Sequence, residues 1–466
     1  MNWHWSRRDW IKAVVVGSTG WGVRAPAAEV PPARGRIVDE PARQVPVVGD
    51  WDVIVAGGGP AGTAAALASA RLGARTCLVE AHGCLGGIWT AGLLCWILDH
   101  ANKRGIMEEL WQELNRRGGR VRAPDGRFTN AYDPEIMKLV LDELTERAGV
   151  DTWLHTRVVS VRRDGRRITH VFIESCSGRE ALAGKVFVDA TGNGDVAANA
   201  GCGFDLGHPE TGRTQPMTLM ALVTGVRAEE IQEFFRHDDR TDWAAPKDRL
   251  RSAMERAGKS PSYSKPTLFR IYDDLFALMA NHEYDVVGTN VRDVTRATRR
   301  ARREVHELVN ALRTLGLPWS EIRIVATAEQ VGIREGRRIH GRYRITAEDL
   351  REGRRHEDAI AEVRFGIDVH ALDPRKEKGI QAAPFKSRPY DLPLRALIAA
   401  DVDNLLMAGR CISGDFWAHS SYRVTGNAVA MGQAAGVAAA LAARSGRAPF
   451  EVPFEEVAAH LPKQES

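Results

Sequence analysis

Residues Gly57-Gly58-Gly59-Pro60-Ala61-Gly62 have the spacing of a loop that cradles a pyrophosphate. Gly57 permits a tight turn, Gly59 lets the backbone approach phosphate oxygens, and Gly62 lets a helix pack closely on a strand. Pro60 and Ala61 fall in the first helical turn, where a missing N–H costs little. Such a loop works only between a strand and a helix. The apolar run Asp52-Val53-Ile54-Val55-Ala56 predicts a buried parallel strand before it, and alanine-rich residues 63–72 predict the helix after it. Residues 76–80 predict a second strand. Glu80 ends it 18 residues past Gly62, where a carboxylate accepts ribose hydroxyls. Together these features predict an α/β, Rossmann-like dinucleotide site with its phosphates on a helix N-terminus.

The elements that complete such a site follow in order. A glycine-rich loop, residues 82–92, carries Gly86, Gly87 and Thr90. Residues 152–159 read as a strand containing Val158. Residues 185–189 read as another, ending in Ala190-Thr191-Gly192 with Asp195 close behind. About 200 residues later come Asn404-Leu405-Leu406-Met407-Ala408-Gly409-Arg410-Cys411-Ile412-Ser413, then Arg423. Residues 428–443, mostly small and apolar around Gly432 and Gln433, suit a buried helix and are short for a membrane span.

In this order the segments resemble two-dinucleotide-binding-domain flavoproteins of the glutathione-reductase and fumarate-reductase type. More closely, residues 52–443 resemble the FAD-dependent oxidoreductase family that includes the heterodisulfide reductase A-like proteins. Arg334-Glu335-Gly336-Arg337-Arg338-Ile339-His340-Gly341, Gly366-Ile367-Asp368-Val369-His370 and Leu392-Pro393-Leu394-Arg395-Ala396-Leu397 also carry the resemblance. It implies FAD as the cofactor. It implies contacts from Gly86, Gly87 and Thr90 to the pyrophosphate and ring, from Val158 to the adenine, and from Ala190, Thr191, Gly192 and Asp195 through a second nucleotide-binding turn. Gly409, Arg410, Gly432 and Gln433 complete the implied set, with the last helix pointing its N-terminus at the flavin.

Two departures stand out. Many related flavoproteins place an aspartate after the glycine of the last motif, whereas Arg410 occupies that place here and suits a pyrophosphate. The six cysteines contain no C-x-x-C pair, so neither iron-sulfur nor zinc ligands are spelled out. Only one glycine fingerprint is present, so no separate NAD(P)H domain is expected. His82, in the flavin loop, raises the alternative of covalent flavin attachment.

Flavin oxidation of a C–H bond needs a base to take a proton, and histidine or a carboxylate suits that role. His370 and Asp368 lie two apart in an alternating run, which puts both on one strand face. Arg334, Arg395 and Tyr390 are candidates for binding a polar or anionic substrate, with a buried ion pair or satisfied core group as the alternative for each. The helix expected over residues 293–313 carries Arg296, Arg299, Arg300, Arg302 and Arg303 away from its apolar positions, the pattern of a solvated face.

Residues 1–27 combine Ser6-Arg7-Arg8-Asp9-Trp10-Ile11-Lys12, a weakly apolar stretch and Ala25-Pro26-Ala27, and so resemble a twin-arginine export signal. Export by the twin-arginine translocase implies a periplasmic or extracytoplasmic protein. Removing those residues, whose four cations and one anion sum to +3, takes the formal charge from +4 to +1. A nearly neutral body gives no electrostatic reason to expect nucleic acid. The expected organisation is a linker over 28–50, a discontinuous FAD-binding domain over 51–204 and 396–446, an interrupting substrate or cap domain over 205–395, and a tail over 447–466. The expected function is FAD-dependent dehydrogenation or oxidation of a small polar molecule such as a sugar or hydroxy acid, with an electron acceptor the residues do not specify. The alternatives are an electron-transfer flavoprotein relaying electrons to a partner protein and a flavin-dependent enzyme without net redox chemistry.

Overall fold

A computed structural model describes residues 38–238 and 242–463. The export-signal stretch lies outside the described residues. Residues 42–466 form one of the chain's two compact units; the other, residues 1–41, is described only from residue 38, without regular structure.

The first strand, β1 (Val47–Ala56), runs between β2 (Thr76–Val79) and β6 (Gly178–Asp189), parallel to both. Val53, Ile54 and Val55 are β-branched and almost fully buried, as a central parallel strand requires. Strand β3 (Asp151–Trp153) extends the parallel set beyond β2. On its other edge the long β6 pairs antiparallel with β5 (Arg167–Ser175) over its first half and parallel with Leu405–Met407 over its second. Strand β4 (Arg157–Asp164) closes that side against β5. The seven strands place the C-terminal ends of β1, β2, β6 and Leu405–Met407 around one crevice, where open α/β sheets bind ligands.

Several boundaries differ from the sequence expectation. β1 starts at Val47, inside the expected linker, because residues 47–51 pair with residues 181–184 of β6 across a bulge. The strand expected over 152–159 is two strands, β3 and β4, separated by a turn in which His155 takes a φ of +52°. Within the expected tail, the buried Val452 and Val457 pack into the core.

Helix α1 (Pro60–Arg71) packs along the C-terminal helix Thr425–Ser445 at the limit of approach. A Cβ on Gly432 would lie 2.0 Å from the Ala61 carbonyl oxygen, and one on Gly436 would lie 2.2 Å from that of Ala65. Glycine and alanine four residues apart on facing helices let the backbones touch. This helix is the one described element long and apolar enough to cross a membrane, and most of it is buried in the core.

Within the interrupting segment an antiparallel sheet, ordered Arg323–Thr327, Ala221–Thr224, Leu275–Met279, Thr267–Arg270, has its own apolar core. Helix Val291–Arg313 lays Val305, Leu308 and Leu312 into that core and exposes Arg296, Arg299, Arg300 and Arg303.

Candidate active site

One cavity of about 1220 Å³ runs from the glycine turn after β1 to the second sheet. That exceeds the roughly 300–1,000 Å³ of a pocket for a drug-sized ligand, leaving space for a dinucleotide and a substrate.

The three fingerprint glycines have separate physical reasons. Gly57 takes a φ of +95°, and a Cβ there would stand 2.6 Å from the Ala190 carbonyl oxygen. A Cβ on Gly62 would lie 1.7 Å from the Gly57 carbonyl oxygen. Gly59 differs: nothing lies within 4 Å of a Cβ built there, and it faces the cavity with Pro60 and Ala61. Gly59 is also the N-cap of α1, with no side chain capping the helix and no acidic residue in its first turn. The free N–H groups and the positive end of the helix dipole are open to an anion.

Glu80, 5% exposed, accepts the Gly58 N–H on Oε2 at 2.5 Å and the His82 N–H on Oε1 at 2.8 Å. Those bonds aim its carboxylate at the cavity, which Thr156, Arg157 and Val158 also line. Gly87 lines the cavity with its would-be Cβ 3.1 Å from the Gly59 Cα. Gly86 and Thr90 do not line it: the Gly86 N–H donates to the Gly58 carbonyl at 2.7 Å, and the fully buried Thr90 Oγ1 donates to that of Leu85 at 2.5 Å. They hold the loop in place. His82 stands at the rim, Nδ1 3.1 Å from Glu329 Oε1.

Ala190, Thr191, Gly192 and Asp195 form the opposite wall with Gly409 and Arg410. The turn is shaped by Asp189, fully buried, which accepts from Thr191 N, Thr191 Oγ1 and Ala197 N. Burial pushes this carboxyl up to about 6 despite those bonds. Arg337 pairs with Asp195 at 3.0 Å, whereas no carboxylate among the described residues lies within 4 Å of the Arg410 guanidinium. Its Nε is buried without a partner, and burial together with Arg423 lowers its pKa. A desolvated, unpaired guanidinium facing an uncapped helix N-terminus fits a diphosphate.

Gly432 and Gln433 do not line the cavity. Gly432 is consumed by packing on Ala61, and Gln433 Oε1 accepts the Ile106 N–H at 3.2 Å. The cofactor contact expected of them is replaced by helix packing. The N-terminal end of that helix does face the cavity, through Val424, Thr425 and Ala428.

At the far end the cavity meets Asp368, His370, Arg334, Arg423 and Tyr263. His370 belongs to a two-residue strand, Val369–His370, fixed by its N–H donating to Gln215 Oε1 at 3.0 Å. Its Nε2 stands 3.2 Å from Asp368 Oδ2, and its Nδ1 stands 2.9 Å from His282 Nε2. Burial, followed by Arg334, pushes the His370 imidazole down to about 4 against the pull of Asp368. Burial pushes the Asp368 carboxyl up, but His370, Arg423 and Arg334 outweigh it and hold it below the usual carboxylate range. Arg423 Nη2 lies 3.2 Å from Asp368 Oδ2.

Arg334 donates through Nη1 to the Pro216 carbonyl at 2.7 Å and to Thr218 Oγ1 at 2.8 Å. No carboxylate among the described residues lies within 4 Å of it, and burial, then Arg423, lowers its pKa to about 10. Arg395 is elsewhere: it is half exposed and grips Asp358 at 3.0 and 3.1 Å, outside the cavity. Tyr390 is fully buried and does not line the cavity. The ion-pair alternative describes Arg395, while Arg334 lines the cavity.

Sequence reasoning missed Gln215, Tyr263, His282 and Asp189. No short motif marks the first three, which come together from strands and loops far apart in the chain. Asp189 ends a readable strand, and its burial there is the signal that could have singled it out.

Among solved structures, a geranylgeranyl bacteriochlorophyll reductase-like protein from Thermoplasma acidophilum is 12% identical, covering 88% of this chain and 82% of that one at a TM-score of 0.45. The flavin-dependent brominase Bmp2 is 12% identical over 88% and 83% at 0.46. The anhydrotetracycline hydroxylase OxyS from Streptomyces rimosus is 14% identical over 88% and 65% at 0.43. No curated protein matches the chain. The model of the family described as FAD dependent oxidoreductase matches residues 52–461, nearly the whole described body. The protein therefore belongs to the FAD-dependent oxidoreductase family, an enzyme family whose cofactor is FAD.

Proposed function

We propose that this enzyme oxidises a small hydroxy acid, binding its carboxylate at Arg334 and taking its hydroxyl proton at Asp368. The observation that carries this reading is that one cavity is lined both by a guanidinium lacking a carboxylate partner and by a carboxylate held below the usual carboxylate range by its charged neighbours. When bound, FAD supplies the hydride acceptor. Gly59, the α1 N-terminus and Arg410 hold its diphosphate, Glu80 its ribose, and Val158 borders its adenine.

Both ring nitrogens of His370 are engaged, so His370 orients Asp368 instead of meeting the substrate. Asp368 Oδ1 takes no part in the contacts to His370 and Arg423. That oxygen is the proton acceptor. Against burial, His370, Arg423 and Arg334 favour its ionised form, which also weakens it as a base.

In this reading the second sheet and its helices cap the substrate end, in the manner of the glutathione-reductase and fumarate-reductase type. The kinship to heterodisulfide reductase A-like proteins rests on the stretches around Arg334, Asp368 and Leu392. Export by the twin-arginine route, supported by Ser6-Arg7-Arg8-Asp9-Trp10-Ile11-Lys12, carries the folded, FAD-loaded protein out of the cytoplasm. Cell fractionation with Arg7→Lys and Arg8→Lys together checks this, with retention in the cytoplasm expected.

The catalytic reading is tested by anaerobic titration of the FAD-loaded protein with 2-hydroxy acids and with neutral sugars of similar size. Bleaching of the visible flavin band by an acid and not by a sugar is expected. Bleaching by sugars alone would sink the role given to Arg334.

A further inference from the structure

We infer that His370, His282 and Tyr284 form a relay through which Asp368 exchanges its proton with solvent. The inference rests on the reading of Asp368 as the proton acceptor and adds two residues, His282 and Tyr284, that do not line the cavity.

The contacts form an unbroken line. Asp368 Oδ2 is 3.2 Å from His370 Nε2, His370 Nδ1 is 2.9 Å from His282 Nε2, and His282 Nδ1 is 3.1 Å from the Tyr284 hydroxyl. His370 and His282 are buried, while Tyr284 is half-buried beside the exposed Asp285. The line therefore leads from the cavity towards the surface. Tyr263 lies against the His282 ring with centroids 4.1 Å apart, and the backbone N–H of His282 donates to Ser262 Oγ at 2.8 Å, which fixes the chain there.

Proton positions follow from neighbours. The nitrogen facing an ionised Asp368 carries a hydrogen, so a neutral His370 is protonated on Nε2 and accepts on Nδ1. His282 then donates from Nε2 and accepts on Nδ1, where the Tyr284 hydroxyl donates. Every bond points inward, towards the anion. A proton entering from solvent reverses the pattern. Water protonates the Tyr284 oxygen as its hydroxyl proton passes to His282 Nδ1, the Nε2 proton of His282 passes to His370 Nδ1, and the Nε2 proton of His370 passes to Asp368 Oδ2. The return runs in the opposite sense. The proton passes from Oδ2 to His370 Nε2, that of His370 Nδ1 passes to His282 Nε2, that of His282 Nδ1 passes to the Tyr284 oxygen, and the tyrosine releases its own to water. One proton leaves Asp368, one enters solvent, and the inward pattern is restored.

The relay answers a difficulty of the site. Asp368 opens onto the cavity that substrate and cofactor would fill, and the line gives its Oδ2 a route to solvent protons that does not pass through that cavity. Arg334 and Arg423 bear on the inner end of the relay, and Arg334, Glu304 and Glu377 on Tyr284.

The test uses FAD-loaded protein labelled with 15N in histidine, with His370 and His282 assigned through His370→Gln and His282→Gln. Both rings are expected as neutral Nε2–H tautomers, and the buried His370 N–H is expected to exchange with solvent at least about tenfold more slowly in Tyr284→Phe. An unchanged exchange rate in Tyr284→Phe, or Nδ1–H tautomers in the wild type, would overturn the relay. With a hydroxy acid that bleaches the flavin, turnover is also expected to fall by about tenfold or more in Tyr284→Phe at unchanged FAD content. If no hydroxy acid bleaches the flavin, the substrate reading fails while the exchange measurement still decides the relay.

Discussion

A Cβ on Gly192 would stand 2.5 Å from Nη2 of Arg410, so the guanidinium lies directly on the glycine of the second turn. Gly192 has a φ of +75°, which turns the chain there and leaves the space that Arg410 fills. The two residues join the glycine turn after β6 to the one after Leu405–Met407 and place a single cation opposite the N-terminus of α1.

That arrangement predicts the effect of removing the cation. Charge-assisted hydrogen bonds are worth about 1.5–3 kcal/mol, so Arg410→Ala should weaken FAD binding roughly 10- to 100-fold. Fluorescence titration of the stripped protein with FAD measures it. An unchanged affinity would remove Arg410 from the phosphate site.

The glycines should separate into two classes. Gly59→Ala should fold with an unchanged urea midpoint and bind FAD poorly, because its Cβ enters space left for the cofactor. Gly62→Ala and Gly432→Ala should lower the midpoint of the stripped protein, since their Cβ atoms meet backbone at 1.7 and 2.0 Å, and overpacking costs about 1–3 kcal/mol or more.

Arg334 and Arg395 should likewise part. Arg334→Met should raise KM for a carboxylate substrate by roughly 10- to 100-fold. Arg395→Met breaks a half-exposed pair with Asp358 and should leave KM unchanged, with a stability loss of about 0–1 kcal/mol. Steady-state kinetics with both variants decides it.

Stability should also depend on pH through His370. Its folded pKa, about 4, lies below its unfolded value near 6.5, so the unfolded state binds more protons between them. The stabilisation is present above about pH 6.5 and is lost as pH falls towards 4, by roughly 3 kcal/mol at most. Urea denaturation of the wild type and His370→Gln at pH 7 and pH 5 isolates this share, because His282, His419, Glu283 and Asp189 contribute to both. The variant should lose less or gain more stability on going to pH 5.

The glycine-turn end of the cavity was legible because its demands are local. A turn that admits a phosphate dictates residue types at Gly57, Gly59 and Gly62, and a strand end dictates Glu80. Gly432 and Gln433 misled because small residues in a helix serve close packing as readily as a ligand, and the partners that settle the matter, Ala61 and Ile106, lie more than 300 residues away. Asp368 and His370 do meet, although the strand that suggested it covers only Val369–His370. The roles of His282 and Tyr284 depend on a contact between rings 88 residues apart, which no spacing rule encodes.

The most direct test of the central claim is a crystal structure of the FAD-loaded protein. The diphosphate is expected between Gly59 and Arg410, the adenine beside Val158, and the flavin ring towards Asp368 and Arg334. A flavin ring at the Val158 end, or a diphosphate away from Arg410, would contradict that claim.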